Sequence, residues 1–267
     1  MNASASLVTA GCINAKTTIP AAARIESKPS GRPPHARKPA WPGALLRMTR
    51  AAVRVEMPPS FAHCWLLSHL DSLREKLPNV DIRINAQGSH LQGDRTPFPQ
   101  LADAPADVQI VYGDSDIWED RASWLISEVL QPYCAPALLR KHAIEKPEQL
   151  VRTMLISTAQ NVVSWDEWLN LQGVEIVDSA IGSVQMDPSH LAIRAARNGI
   201  GVILESSVLV AKDVEAGSLV PIFSNRTCPG LGYWVYTPSA HGLRPSVAAV
   251  RDWLKQVTAL APDPSTP

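Results

Sequence analysis

From Ala51 onwards, the apolar residues of the chain follow two patterns that take turns. Stretches such as AAVRVEM before Pro58 and VDIRINA (80–86) alternate apolar and polar residues in the manner of β-strands. Between such stretches, the apolar residues recur at helical spacing. Strands and helices in turn favour an α/β architecture with parallel strands.

One helix is predicted directly after the first strand, with a buried apolar face that ends before Pro78. The apolar face is expected to hold Phe61, Leu66, Leu70, Leu73 and Leu77. Further strands or extended segments are predicted at 107–112, 125–136 and 153–158.

Three later stretches predict helices with clear ends. SWDEWLNLQG (164–173) has a serine cap and a glycine stop, and SVAAVRDWLKQV (246–257) predicts a terminal amphipathic helix. In MDPSHLAIRAARNGIGVILES (186–206), Asp187 or Ser189 is expected to cap a helix that ends before the strand GVILES. The inward face of this helix is predicted to hold Leu191, Ile193 and Ala196.

Turn residues stand where predicted strands meet predicted helices. Because parallel strands end at one edge of a sheet, these turns are expected to form a crevice there. Each helix start carries unpaired N–H groups and favours an anion by about 0.3–1 kcal/mol. Ser60, Ser157-Thr158 and Ser189 occupy such turns. Any one of these serines alone is explained by helix capping, and only their joint presence predicts a binding cleft.

The length and composition suit a globular protein. Its 267 residues, 45% of them hydrophobic, fit one large domain or two small ones. Residues 1–50 contain six prolines and no long apolar period, and they are predicted to form a disordered tail. This tail carries eight Lys or Arg against one acid, and the rest carries seventeen against twenty-four, which gives about +7 and −7. So acidic a body argues against binding nucleic acid by its own surface.

The sequence contains no local motif for catalysis or metal binding. Its seven histidines lack HxH, HxxxH and HExxH spacing, and its four cysteines form no CxxC pair. The nucleophile elbow, the P-loop and the G-x-G-x-x-G fingerprint are also absent. We therefore expect neither an enzyme nor a bound metal or cofactor.

No apolar run approaches the roughly 18–20 residues that a membrane span needs, so no membrane partner is expected. The stretch LVTAGC, which ends at Cys12, faintly resembles a lipoprotein cleavage site. However, no Lys or Arg precedes it, and its apolar part is too short for an export signal. A cytoplasmic location is therefore expected.

Seven segments between about Val53 and Leu260 form a recognisable series. They are PSFAHCWLLSHLDSLREKLPNVDIRI, ADVQIVYGDSDIW, LISEVLQPYCAPALL, SWDEWLNLQG, DPSHLAIRAARNGIGVILES, GYWVYTP and PSVAAVRDWLKQV. In this order they resemble the effector-binding domain of LysR-type transcriptional regulators, in the branch of the glycine-cleavage and β-lactamase activators. The chain departs from that branch at Val111 and Ser115, where the family has arginine and glycine.

The resemblance implies an α/β fold like that of periplasmic binding proteins, with two Rossmann-like subdomains joined by two crossover strands. Subdomain I is expected to comprise residues 51–130 and 235–262, and subdomain II residues 131–234. A small, often anionic effector would lie in the cleft between them. The cleft lining implied by the resemblance is Ser60, Phe61, Tyr112, Ser157, Thr158, Asp187, Pro188, Ser189 and Tyr233.

The resemblance also implies DNA binding and self-association. The family reads DNA with an N-terminal winged helix-turn-helix of about sixty residues and a long linker helix. Residues 1–50 match neither, so we expect a truncated or mis-started regulator without its own DNA-reading head. Effector binding would shift an equilibrium between assemblies on DNA, and a homodimer or higher homo-oligomer is expected.

Three other interpretations stay open at this point. A periplasmic solute-binding protein of a transporter shares the fold but requires export. An enzyme of the porphobilinogen-deaminase type shares it too, although no nucleophile or cofactor motif supports this activity. A degenerate reading frame without function is the third.

Overall fold

The first strand, β1 (Ala51–Met57), organises one half of the molecule. In the computed structural model, β1 pairs in parallel with β2 (Val80–Ala86) on one side and with β3 (Val108–Gly113) on the other. The terminal helix α8 (Pro245–Thr258) packs against β1 and β3. Together with the helical segment between β1 and β2, these elements form what we call the first lobe.

The structure describes residues 51–87, 106–159, 161–174, 182–238, 241–242 and 244–259. The predicted disordered tail at 1–50 lies outside these residues.

The segment between β1 and β2 is broken into short helices, whereas the sequence pattern predicted one. It consists of α1 (Pro59–Cys64), a 3₁₀ helix (Leu66–His69) and α2 (Leu70–Lys76). The break occurs at Trp65, whose carbonyl accepts a hydrogen bond from the Ser68 hydroxyl at 2.7 Å. The same carbonyl lies 2.7 Å from His69 Nδ1. These side chains compete with backbone donors for that carbonyl and so interrupt the α-helical pattern.

The second lobe repeats the arrangement of parallel strands and helices. Its strands β5 (Leu155–Ser157), β6 (Ser183–Gln185) and β7 (Val202–Ser206) pair in parallel, with β5 in the centre. Its helices are α5 (Trp165–Leu171), α6 (Ser189–Arg197) and α7 (Ser207–Glu215).

Two long antiparallel strands, β4 (Ser123–Cys134) and β9 (Cys228–Tyr236), join the lobes. β9 also pairs with β3 of the first lobe, and β4 with β7 of the second. The strand order in the described residues is therefore β2-β1-β3-β9-β4-β7-β5-β6. This confirms the predicted fold class of two α/β subdomains linked by crossover strands. The proposed subdomain limits at 130, 131, 234 and 235 remain a prediction.

Short elements complete the connections between the lobes. They are α3 (Ser115–Trp118), α4 (Pro136–His142), a 3₁₀ helix (Pro147–Arg152) and β8 (Val220–Pro221), which pairs with β4.

In the described residues the hydrophobic core has one part shared between the lobes, one part within the second, and a small third part around Trp118 and Trp234. The shared part holds Val53, Phe61 and Val250 together with Ile156 and Ile203. The second part surrounds Trp168, which is fully buried with Trp165, Leu150 and Leu204 around it. Because apolar packing continues from one lobe into the other, the cleft between them is a local opening in a joined core.

Helix α6 forms as predicted but with a different inward face. Ile193 and Ala196 are buried as expected, whereas Leu191 is 46% exposed. Ala192 and Ala195 are buried in its place. These small residues let α6 pack closely against α1 and α7, a requirement that sequence spacing alone does not reveal.

The start of α6 also differs from the prediction, because neither Asp187 nor Ser189 caps it. Pro188 occupies the cap position, and it makes no side-chain capping bond to the first turn. The Asp187 carboxylate accepts the backbone N–H of Ala159 at 2.8 Å instead. This bond joins the start of α6 to the segment that follows β5.

Gly201 lets β7 lie close to the segment before β5, and alanine at this position is expected to destabilise the fold. An added Cβ would lie 2.3 Å from the Met154 carbonyl oxygen, which is backbone and cannot easily move away. We expect Gly201→Ala to lower the free energy of unfolding by about 1–3 kcal/mol in urea denaturation. Gly182→Ala is the matched control, since its Cβ would meet only the flexible Met154 side chain at 3.4 Å. Equal losses in the two variants would contradict the prediction.

Candidate functional site

A cavity of about 320 Å³ opens between the lobes, where the strands of both lobes end. It receives residues from the turn after β1, from β3 and from both crossover strands. The second lobe contributes the starts of α6 and α7. The lining comprises Pro58, Pro59, Ser60, Tyr112, Glu128, Asn161, Asp187, Pro188, Ser189, Glu205, Ser206, Leu209 and Tyr233.

The structure brings six of the nine predicted site residues to this cavity. They are Ser60, Tyr112, Asp187, Pro188, Ser189 and Tyr233. These residues lie far apart in the sequence, and the fold brings them together from two lobes. Their role as effector ligands stays a prediction.

Phe61, Ser157 and Thr158 do not line the cavity. Phe61 is fully buried beneath it, with ring centroids 4.9 Å from Trp65 and 4.6 Å from Tyr233. Ser157 is half-buried at the end of β5, with its hydroxyl 3.5 Å from the Val184 carbonyl oxygen. Thr158 is buried, and its hydroxyl has no hydrogen-bond partner in the described part of the chain. Because the Phe61 ring packs on Tyr233, which does line the cavity, Phe61 supports the lining from below.

Ser60 connects the two lobes at the wall of the cavity. Its hydroxyl accepts the backbone N–H of His190, in α6, at 3.2 Å. It also lies 3.4 Å from Nδ1 of the His190 ring. Partial burial and the neighbouring His63 lower the pKa of His190 below its ordinary value. Ser60 does not cap its own helix, so its hydroxyl is a contact between lobes that opening of the cleft would break.

Glu128, on crossover strand β4, places a buried carboxyl group in the cavity wall. One carboxyl oxygen accepts a hydrogen bond from the Tyr112 hydroxyl, and the other accepts one from the Ser206 hydroxyl. Burial raises the pKa of Glu128 from 4.5 to about 7, although both hydrogen bonds oppose the rise. At neutral pH this carboxyl group is therefore only partly ionised.

Glu205, at the end of β7, places a second buried carboxyl group nearby. Its Oε1 accepts the backbone N–H of Ser206 at 2.8 Å, whereas its buried Oε2 has no hydrogen-bond partner among the described residues. The pKa of Glu205 is raised to about 8, mainly by burial and in part by the charge of Glu128. The Ser189 hydroxyl is close enough to lower it in part. We call Glu128 and Glu205 the carboxyl pair.

Ser206 holds the carboxyl pair together. Its hydroxyl donates to Glu128, its backbone N–H donates to Glu205, and its hydroxyl also accepts the N–H of Val208 at 3.2 Å as the cap of α7. Pairing of β4 with β7 sets this arrangement, since Leu130 lies opposite Ser206. The pair is thus fixed by the second lobe and a crossover strand.

The charged side chains of the described cavity lining are acidic. Three of the lining residues are Glu128, Glu205 and Asp187, and the described lining contains no Lys or Arg. The aromatic rings of Tyr112 and Tyr233, whose centroids lie 4.9 Å apart, add polarisable groups to the lining. The charged residues of the described lining are therefore acidic, whereas the helix starts predicted a cleft for an anion.

Sequence reasoning missed Glu128, Asn161, Glu205, Ser206 and Leu209. A signal for the two glutamates was present, because each interrupts an apolar strand segment, LISEVL and GVILES. Burial of a carboxyl group in such a strand is unfavourable unless it has a partner or a function. A glutamate inside a buried strand therefore indicates a site.

Within the described part of the chain, no group of three or more His, Cys, Asp or Glu side chains is arranged to hold a metal ion. The helices described here are all too short or too polar to cross a membrane.

Comparison with known proteins supports the fold and indicates the family to which the chain belongs. The model of the LysR substrate binding domain matches residues 47–259. The HTH-type transcriptional regulator PerR of Escherichia coli K12 is 28% identical over 204 residues, which cover 76% of this chain and 65% of PerR. The glycine cleavage system transcriptional activator of the same organism is 29% identical over 209 residues, covering 78% and 65%.

A solved structure shows the same fold. The AmpR effector binding domain from Citrobacter freundii superposes with a TM-score of 0.65 at 20% identity, over 79% of this chain and all of that domain. These matches confirm the resemblance that the sequence segments indicated, and the named relatives do not favour the solute-binding alternative. The chain spans 65% of the length of the two curated regulators.

Proposed function

The chain belongs to the LysR substrate-binding domain family, and from this premise we propose that it senses a small-molecule effector for a transcriptional regulator. The cavity lined from both lobes is the observation that carries this proposal. Its 320 Å³ volume is in the range of small-ligand pockets. The effector ligands we propose are the six predicted residues in the lining together with the carboxyl pair.

Sensing requires that the effector bind one arrangement of the lobes better than another. Ser60 and His190 touch across the cleft, so an effector held between the lobes would change the equilibrium at this contact. The crossover strands β4 and β9 are the natural hinge, because they alone run between the lobes in the sheet order of the described residues. Closure of the cleft would then be transmitted to the rest of a regulator.

Several wider properties belong to the same proposal. We place the protein in the cytoplasm, with regulation rather than catalysis as its activity. DNA is the expected final target, and a homodimer or higher homo-oligomer the expected assembly. The relatives are named as transcriptional regulators, which supports these assignments.

A thermal-shift screen with cavity-blocking variants tests effector binding. We expect an effector present at about 100 times its dissociation constant to raise the melting temperature by about 5–10 °C. Ser60→Phe fills the cavity from the first lobe and should abolish this shift, and Ser189→Phe should do so from the second. Ser115→Phe is the matched control, because Ser115 is exposed and outside the lining. A compound that binds both blocked variants as well as the control would contradict binding in the cavity.

A further inference from the structure

The geometry of the cavity points to the charge of its effector. We propose that the effector carries a cationic nitrogen, in an ammonium or guanidinium group, and that the carboxyl pair of Glu128 and Glu205 binds it. This inference rests on the proposed function, because it assumes that the cavity is the effector site.

Glu205 lines the cavity although it is only 1% exposed, and within the described residues its buried Oε2 has no hydrogen-bond partner. The nearby Ser189 hydroxyl offers Glu205 a neutral hydrogen bond only. Once the carboxyl group is ionised, it is satisfied best by a charged donor. A molecule bound in the cavity can supply that donor.

The protonation state of the carboxyl pair in the free protein also suits a cation. The pKa values of Glu128 and Glu205 are raised to about 7 and about 8, mainly by burial. At neutral pH the pair therefore keeps a proton that a cation could replace. The other titratable groups that interact with the pair are Tyr112, Tyr133, Tyr233 and Cys64, and burial raises the pKa of each. All four are neutral at pH 7, so they supply no positive charge.

The surrounding surface also suits a cation. Tyr112 and Tyr233 line the cavity with ring centroids 4.9 Å apart, and aromatic rings attract cations. The lining also contains a third acid, Asp187, and no described Lys or Arg. A carboxylate effector would therefore lie beside carboxyl groups without a cationic partner. Helix α1 has only six residues. At the starts of α6 and α7, the N–H groups of His190 and Val208 already donate to the Ser60 and Ser206 hydroxyls.

Three four-carbon probes with cationic, neutral and anionic end groups test the proposal on the full chain. They are 1,4-diaminobutane, 1,4-butanediol and succinate, each titrated at pH 7 and pH 8 to about 20 mM with melting temperature as the readout. We expect the diamine to raise the melting temperature and the other two to leave it unchanged. Glu205→Gln should weaken diamine binding about tenfold, whereas Glu119→Gln, at an exposed position, should not.

Calorimetry supplies a second measurement, which would not change if the carboxyl pair had only a structural role. Diamine binding at pH 7 should release a proton from the carboxyl pair, and the measured heat should then depend on the ionisation enthalpy of the buffer. Glu128→Gln and Glu205→Gln should each reduce the number of protons released.

Several outcomes would overturn the cationic assignment. These are no diamine shift at either pH, a diol shift equal to that of the diamine, or succinate binding that Glu205→Gln leaves unchanged. If succinate binding were abolished by Ser60→Phe, the cavity would still be the effector site. The proposed function would then stand while this inference fell.

Discussion

Replacing Trp168 with alanine is expected to lower the free energy of unfolding by about 3–5 kcal/mol. Trp168 is fully buried in the core of the second lobe, where its ring stacks on Phe223 and meets Trp165 edge to face, with both centroid distances 6.0 Å. Its indole N–H donates to the Arg226 carbonyl at 3.3 Å. Alanine would leave a large cavity and an unpaired carbonyl. Urea denaturation followed by far-UV circular dichroism measures the loss without relying on tryptophan fluorescence.

Trp124→Ala is the matched control for Trp168→Ala. Trp124 is 48% exposed and packs one edge against Trp234. Its loss is expected to lower the free energy of unfolding by about 1 kcal/mol. Comparable losses in the two variants would mean that Trp168 does not anchor the second lobe.

Local sequence signals predicted the elements whose contacts are themselves local. On the predicted apolar face of α8, Val247, Val250, Trp253 and Leu254 are buried and Val257 is half-buried, because one long amphipathic face sets the orientation of a helix. In α5 the Ser164 hydroxyl accepts the N–H of Glu167, and the Glu167 carboxylate accepts the N–H of Ser164 in return. Such a capping box is encoded within four residues, so the sequence alone reveals it.

Predictions failed where contacts outside the apolar pattern decide the structure. Trp65 interrupts the first helix because Ser68 and His69, three and four residues along the chain, bind its carbonyl group. Leu191 is exposed because the close approach of α6 to α1 and α7 selects the alanine face of the helix. Neither effect is visible in the spacing of apolar residues.

The candidate site contains residues that local turn chemistry identified and residues that only distant strand pairing brings together. Turn chemistry at strand ends identified Ser60, Asp187 and Ser189, since parallel strands bring such turns to one edge. The carboxyl pair was missed because its two strands lie 78 residues apart at the Ser206–Glu128 contact. Only the antiparallel pairing of β4 with β7 brings these side chains to one place.

The carboxyl pair should make stability fall as pH rises, and Glu205→Gln should remove much of this dependence. The folded-state pKa of Glu205 is about 8, against an ordinary value of 4.5. The folded protein therefore holds a proton that the unfolded chain releases, so stability present below pH 4.5 is lost as pH rises through 8. We expect Glu205→Gln to stabilise the protein by about 2–4 kcal/mol at pH 8 and by less than about 1 kcal/mol at pH 5.

Urea denaturation of both proteins at pH 5, 6, 7 and 8 measures this difference directly. Glu128→Gln should show the same sign with a smaller effect, since the pKa of Glu128 is raised only to about 7 and the amide loses part of its hydrogen bonding with Tyr112 and Ser206. The exposed Glu119→Gln should follow the wild type at every pH. If Glu205→Gln were less stable than the wild type at pH 8, the buried carboxylate would already have a cationic partner in the free protein. The acidic cavity would then have no unmet charge for an effector to neutralise.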